Sequence, residues 1–466
     1  MRKGYEIAMN FVFVLSVMLK GIGALLEILL QIMITRKLGV SGYGDYSTWI
    51  NTADLTFWVL FSGLVKCNTF YLSGRNVSIR SFKTRYYSKY VLPVFICTAT
   101  AVFIFHGQPM FYFALMIMGL ELFVYDQSST LLARGQAKKS LIGEYVLGRL
   151  VLLAGVYGLG CTGHMKLSTL LMLYVFQYVL VVLFFAVRKG GKTDTYTDVS
   201  QEVSLKKWGA YQWADLMYSM INQMPVVLQY FFAGAFEAGV VSIVLLVKKL
   251  INFISGPTAK IFLPEFSRMY RSGEHEKMRE YYGSIMRLQM LFVGPLAVVL
   301  LAFPQMILKI LAEELMNYAD LFRLCSLVFL LTATLGPCGG ILQMTGHEKM
   351  DNRCREISLI IMIAAMVFCH QDKLFVLYGL CAQAAFEAVG KYTVVCRWMK
   401  KPPVGLGTYV KWWILPGIVI AGVCLMHLQN SFLWMIFFAG LVFGIEGMTE
   451  IRKSHAITVI RAKLHI

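Results

Sequence analysis

VVSIVLLVKKLINFISGPTAKIF (residues 240–262), followed directly by LPEFSRMYRSGEHEKMREYY (residues 263–282), decides the fold class. The first stretch has the length of a membrane crossing, for which ~20 mostly apolar residues suffice. Yet it carries Lys248 and Lys249 near its middle and Lys260 near its end. The second stretch is dense in charge and aqueous. A lysine at bilayer depth costs ~2.5–3.5 kcal/mol on insertion scales. Its presence calls for a partner, a wet cavity or an anionic substrate to offset that cost. One segment therefore supplies a membrane crossing, a cytoplasmic marker and buried cations.

The rest of the chain agrees with this reading. Of 466 residues, 58% are hydrophobic and 15% charged, and the mean hydropathy is +0.62. A soluble chain of this size needs more polar surface, so the composition points to a polytopic membrane protein. The net charge of +18 would suggest nucleic acid in a soluble protein. Here the basic residues are expected to set orientation and meet anionic headgroups, with no nucleic-acid partner. Ten cysteines are scattered without CxxC spacing, mostly in apolar runs where cysteine acts as a small hydrophobe, so neither a disulfide framework nor a metal site is expected. No cofactor is expected.

Apolar runs give about fourteen candidate spans, at about 10–35, 46–72, 90–106, 110–132, 141–160, 167–187, 208–233, 240–262, 285–303, 319–344, 355–370, 374–396, 409–427 and 432–450. All are expected to be helices, because a helix satisfies its own backbone polar groups in lipid. With the N-terminus inside, about 31 Lys and Arg fall on the cytoplasmic side and about 5 outside. That asymmetry supports an even number of spans with both termini cytoplasmic. The polar connection RKGGKTDTYTDVSQEVSLKK (188–207) reads as a linker. The expected organisation is a six-helix lobe at 1–187, the linker, a second six-helix lobe at 208–397, and two further helices with a tail at 398–466.

Several spans carry polar stripes. Ser16, Lys20, Glu27 and Gln31 return to one face of span one. Asp215, Ser219, Asn222 and Gln229 line span seven, where Pro225 should bend the helix. In span eight Lys249, Asn252, Gly256 and Lys260 share a face, and Lys248 points ~100° away from Lys249. Span two holds Asn51, Asp54 and Lys66; Asp126, Glu144 and Arg149 lie in spans four and five. Each stripe reads either as the wall of a cavity or as interhelical pairing, and Lys260 could also snorkel to headgroups. Glu387 and Lys391, four apart in span twelve, read as a structural pair. GEHEKMREYY (273–282) reads as a solvated helical face. There is no P-loop and no HExxH.

The segments ITRKLGVSGYGDYS (34–47), TLLARGQAKKS (130–140), IFLPEFSRMYRSGEHEKMREYYGSIMRL (261–288) and the run from FPQMILKILAEELMNYAD (303–320) through GGILQMTGHEKMDNR (339–353), in that order, resemble the polysaccharide flippases of the MATE-like MOP (multidrug/oligosaccharidyl-lipid/polysaccharide) exporter superfamily, the O-antigen and capsule repeat-unit translocases. The resemblance implies an all-α integral membrane protein of 14 transmembrane helices, with two six-helix lobes in a V and two extra C-terminal helices. It implies alternating access for an undecaprenyl-pyrophosphate-linked oligosaccharide in the bacterial cytoplasmic membrane. Polysaccharide polymerase and glycosyltransferases would be its protein partners, and membrane lipids its surroundings. By helix and depth it implies a cavity lined by Lys20, Lys66, Asn222, Lys248, Lys249, Asn252 and Lys260, with ion coupling at Glu27, Asp54 and Asp215. The alternatives are a lipid II or sporulation-type flippase of the same superfamily, or a MATE-type cation or drug antiporter. A polymerase or membrane glycosyltransferase would need a large outer loop with catalytic residues, and the connection at about 304–318 is short. The protein is expected not to be an enzyme.

Overall fold

The structure, a computed structural model, describes residues 2–72, 83–84, 87–104, 109–134, 136–163, 165–187, 205–429 and 431–451. Within these, the side chains at 2–17, 20, 66, 69–71, 89, 101–102, 104, 109, 137, 205–208, 210–211, 214, 252–265, 267 and 449–451 lie outside the description. Every regular element among the described residues is helical, and helix occupies the described parts of the apolar runs. Among the described residues, six helical stretches are long and apolar enough to cross a membrane by length and composition: Met110–Ala133, Lys138–Thr162, Leu167–Ala186, His275–Ala302, Glu313–Met344 and Leu406–Leu425. Large apolar side chains face outward, among them Val367 at 66%, Phe368 at 88% and Leu425 at 80% exposure, while Glu121, Asp351 and Gln229 are fully buried. Such a distribution suits lipid outside and polar contacts within. The chain is a multi-pass membrane protein.

The chain divides into two compact units, Met1–Gly239 and Val240–Ile466. In the first, α1 (Arg2–Leu72) contains two apolar runs joined at Gly39, whose φ of 72° breaks the helix. Only glycine adopts that conformation without Cβ strain. Helices α2 (Leu92–Ile104), α3 (Pro109–Ala133), α4 (Ala137–Leu141), α5 (Gly148–Thr162) and α6 (Leu167–Ala186) follow. A π-helical turn at Ile142–Leu147 leads into α5. The core of the second limb of α1 joins Phe57, Phe61, Leu64 and Cys67 to Met118 and Leu122 of α3. The span expected at 208–233 is split into α7 (Leu205–Asn222) and α8 (Met224–Ala233), with the break at Gln223 and Pro225 in the first turn of α8. From α7, Gln212 reaches the 58–63 turn of α1. Its Oε1 accepts from the Gly63 N–H at 2.8 Å and its Nε2 donates to the carbonyls of Trp58 and Val59.

Helix α9 (Ala235–Arg271) begins in the first unit and continues into the second. There α10 (His275–Ala297) runs on through a π-helical turn at Val298–Ala302. Helices α11 (Pro304–Leu311), α12 (Ala319–Thr334), α13 (Cys338–Met344), α14 (Glu348–Phe368), α15 (Phe375–Trp398), α16 (Leu406–Leu425) and α17 (Phe432–Ile451) complete the chain. The GEHEKMREYY stretch is the start of α10, with exposed i,i+3 pairs Glu274–Lys277 and Glu276–Arg279. Its last tyrosine is not solvated: Tyr282 is fully buried and its hydroxyl donates to the Leu335 carbonyl at 2.6 Å. The two C-terminal helices pack on α10 and its π turn through Val298, Ala302, Phe303, Val419, Val423 and Val442.

Candidate functional site

In the first unit, polar side chains from four elements converge. Glu27, on the first limb of α1, receives Arg149 Nε on its Oε2 at 2.8 Å. Gln31, one turn on, donates to Glu27 Oε1 at 2.9 Å and accepts from the Tyr43 hydroxyl at 2.8 Å. Arg149 on α5 also donates to the Tyr174 hydroxyl of α6 at 3.5 Å. One turn further along α6, the Tyr178 hydroxyl donates to Glu121 Oε1 at 2.7 Å, and the two tyrosine rings meet edge-on with centroids 5.4 Å apart. Glu121, fully buried on α3, lies within electrostatic reach of Asp54 on the second limb of α1.

Two carboxylates held close together repel when both are ionised. The cluster holds Glu27 and Arg149 as an ion pair and sets the carboxyl groups of Asp54 and Glu121 near each other. Among the described side chains it gathers three carboxyl groups and one guanidinium, an excess of acid. Among the described residues no group of three or more His, Cys, Asp and Glu side chains gathers at metal-binding distances.

The sequence candidates are thus partly assembled. Glu27 and Asp54 belong to one network, linked by Arg149, Tyr174, Tyr178 and Glu121. Of these linkers only Arg149 stood out in the sequence. Glu121 carried the same signal as Asp126, an acid inside an apolar run, and Tyr174 and Tyr178 share a helix face at i,i+4 spacing. Asp126 itself pairs with Lys83 at 2.5 Å and accepts from Asn68 at 2.7 Å. Asp215 is half-buried, and Asn222 donates to the Tyr218 carbonyl of its own helix at 2.8 Å. The side chains of Lys20, Lys66, Asn252 and Lys260 lie outside the described residues.

The second unit holds a separate charged network. Lys391 on α15 binds Asp351 Oδ1 of α14 at 2.7 Å and Glu387 Oε1 at 2.6 Å. Arg355 reaches Asp351 at 3.4 Å and Glu387 at 3.7 Å. Gln343 donates to Asp351 at 2.8 Å, and Gln383 donates to Glu387. Two acids and two bases balance, so the Glu387–Lys391 pair read from sequence is half of a four-membered unit. Lys248 on α9 is the surplus charge. It is half-buried, with its Nζ 5.9 Å from the Phe329 ring centroid and within electrostatic reach of Glu387. Its neighbour Lys249 is exposed, as their ~100° offset requires.

No family model and no curated protein matches the sequence. Solved structures do. An inward-facing multidrug resistance MATE family transporter of the MOP superfamily aligns with a TM-score of 0.64 at 13% identity, covering 82% of this chain and 98% of its own. The lipid II flippase MurJ, in an inward closed conformation, aligns with a TM-score of 0.55 at 11% identity, covering 96% of this chain and 98% of its own. A MATE crystal structure in the straight conformation gives 0.52 at 14% identity, over 84% and 95%. The chain has the fold of the MATE and MurJ transporters. Identity at this level carries the fold and leaves the cargo open. These neighbours are transporters rather than enzymes.

Proposed function

We propose that the protein is a flippase that moves undecaprenyl-pyrophosphate-linked oligosaccharide repeat units from the inner to the outer leaflet of the bacterial cytoplasmic membrane by alternating access, for surface polysaccharide synthesis. The observation that carries this reading is the extent of the structural likeness. The lipid II flippase matches 96% of the chain, whereas the MATE structures match 82% and 84% of it. A fold that uses nearly the whole chain fits a lipid-linked cargo better than one that leaves its remainder over. Fourteen spans, both termini inside and cations lining the cavity belong to the same proposal. Lys248 supports it as a surplus cation above a balanced network, since lysine is a point-charge binder of phosphate.

The Asp54–Glu121 pair is the proposed coupling site, taking up H+ or Na+ as the gradient drives the cycle, with Asp215 as a further candidate. Glu27 holds Arg149 and would tune the pair rather than carry the ion. A second reading, a cation or drug antiporter, is favoured by the same excess of acid in the first unit and by the 0.64 TM-score to a multidrug transporter.

One reconstitution separates the two readings. The full chain in proteoliposomes should exchange a fluorescent undecaprenyl-pyrophosphate oligosaccharide between leaflets, and Lys248→Ala should slow that exchange at equal protein density. Efflux of a cationic dye without lipid exchange would establish the antiporter instead.

A further inference from the structure

A cavity of about 280 Å³ lies between α10, α16 and α17 in the second unit. Its walls are apolar: Met290 and Leu291 from α10, Leu415 from α16 and Ile445 from α17. Its polar lining is Arg287, Lys411 and Glu446. The Arg287 guanidinium stands 5.9 Å from the Trp412 ring centroid. Neither Arg287 nor Lys411 has an ion-pair partner among the described residues. Arg287 and Lys411 therefore bring two positive charges to the cavity.

The depth of this cavity can be read from its neighbours. Lys411 is in the second turn of α16, close to its start, and Glu446 is in the last two turns of α17. Tyr409 and Trp412 flank Lys411 in sequence, and their rings touch with centroids 6.1 Å apart. Tyrosine and tryptophan beside Lys or Arg at a helix end mark the headgroup level of a bilayer. A cavity at that level, cationic at one part and apolar at another, has the polarity of a phospholipid.

We infer that this cavity binds one acidic phospholipid of the surrounding bilayer, with its phosphodiester between Arg287 and Lys411 and an acyl chain along Met290, Leu291, Leu415 and Ile445. A phosphodiester is an anion that the two cations can hold from two sides. The volume takes a small headgroup and the first chain carbons, and excludes an oligosaccharide. The bound lipid would add to the contacts that α10 and the two C-terminal helices make themselves, Phe292 against Phe443 and the apolar ones of the 298–303 region.

Binding of spin-labelled phosphatidylglycerol and phosphatidylcholine to the purified full-length protein tests this, with inorganic phosphate as a separate arm. Phosphatidylglycerol should bind preferentially and raise the melting temperature, and phosphate alone should do neither. Arg287→Gln/Lys411→Gln should cut the phosphatidylglycerol affinity by about thirtyfold, from the contribution expected per cation near an anionic headgroup. Lys411→Gln alone, at an exposed position, should give part of that loss and fold normally. Equal binding of the two lipids, unchanged affinity in Lys411→Gln, or competition by phosphate alone would each overturn the assignment. The readout is lipid binding, so failure of the proposed transport activity would leave it standing.

Discussion

At the scale of single residues, the Glu27–Arg149 pair is the most informative contact. Its side chains are 23% and 29% exposed, so both ions have given up most of their surroundings and depend on each other. Removing one partner of a buried pair is strongly destabilising because the other charge is left uncompensated, whereas removing both together is far milder. Arg149→Ala should therefore lower the stability of the detergent-solubilised protein by about 3 kcal/mol. Glu27→Ala/Arg149→Ala should recover part of that, with a coupling of ~1–3 kcal/mol in a double-mutant cycle followed by thermal unfolding. Additive losses would mean that each side chain acts through packing alone. Much of this site was legible from sequence, since acids and bases in apolar runs are few and expensive. What the sequence did not disclose was pairing. Glu27 and Arg149 are far apart along the chain, and nothing in the one-dimensional pattern says that α5 lies beside the first limb of α1. Glu121 was overlooked although Tyr125 and Ser128 share its face of α3 at i+4 and i+7.

At the scale of elements, the LGVSGYG segment (38–44) contains the break in α1 at Gly39. Its later glycine has a different duty. A Cβ on Gly44 would stand 1.7 Å from the Ala235 carbonyl oxygen, and one on Gly239 would stand 2.4 Å from the Val40 carbonyl oxygen. The second limb of α1 and the first turn of α9 thus meet backbone to backbone, as small residues permit between membrane helices. Contact with backbone leaves no side chain that can swing aside. Gly44→Ala should cost at least the ~1–3 kcal/mol of core overpacking, seen as a lowered melting temperature and a reduced yield of monodisperse protein. Gly158→Ala, on α5 where a Cβ meets nothing within 4 Å, should be neutral in the same assay. If the two variants match, the close approach does not exist in the membrane. Helix positions were readable throughout because apolar length sets them. Close approaches were not, since a glycine in a string looks the same whether it frees a turn or admits a neighbour.

At the scale of the whole molecule, the acid pair in the first unit bears on how transport is driven. Asp54 and Glu121 are neighbouring carboxyl groups, and Glu121 is fully buried. Two negative charges against each other in such a place either recruit a proton or another cation or force the helices that carry them, α1 and α3, to part. A transporter driven by a gradient needs such an element, whose two states differ in free energy and are biased by the ion. Glu121→Gln keeps a hydrogen-bonding side chain of similar shape and can still receive the Tyr178 hydroxyl, but it cannot give up a proton. The variant should fold, and should still equilibrate cargo between leaflets when no gradient is applied. An imposed pH or sodium gradient should accelerate the wild-type protein and leave Glu121→Gln unmoved. Glu121→Gln responding to the gradient as the wild type does would place the coupling elsewhere, with Asp215 next to be replaced by asparagine. Loss of passive exchange as well would show that the pair holds the fold rather than drives the cycle. Measuring exchange with and without the gradient, on matched vesicles, distinguishes all three outcomes.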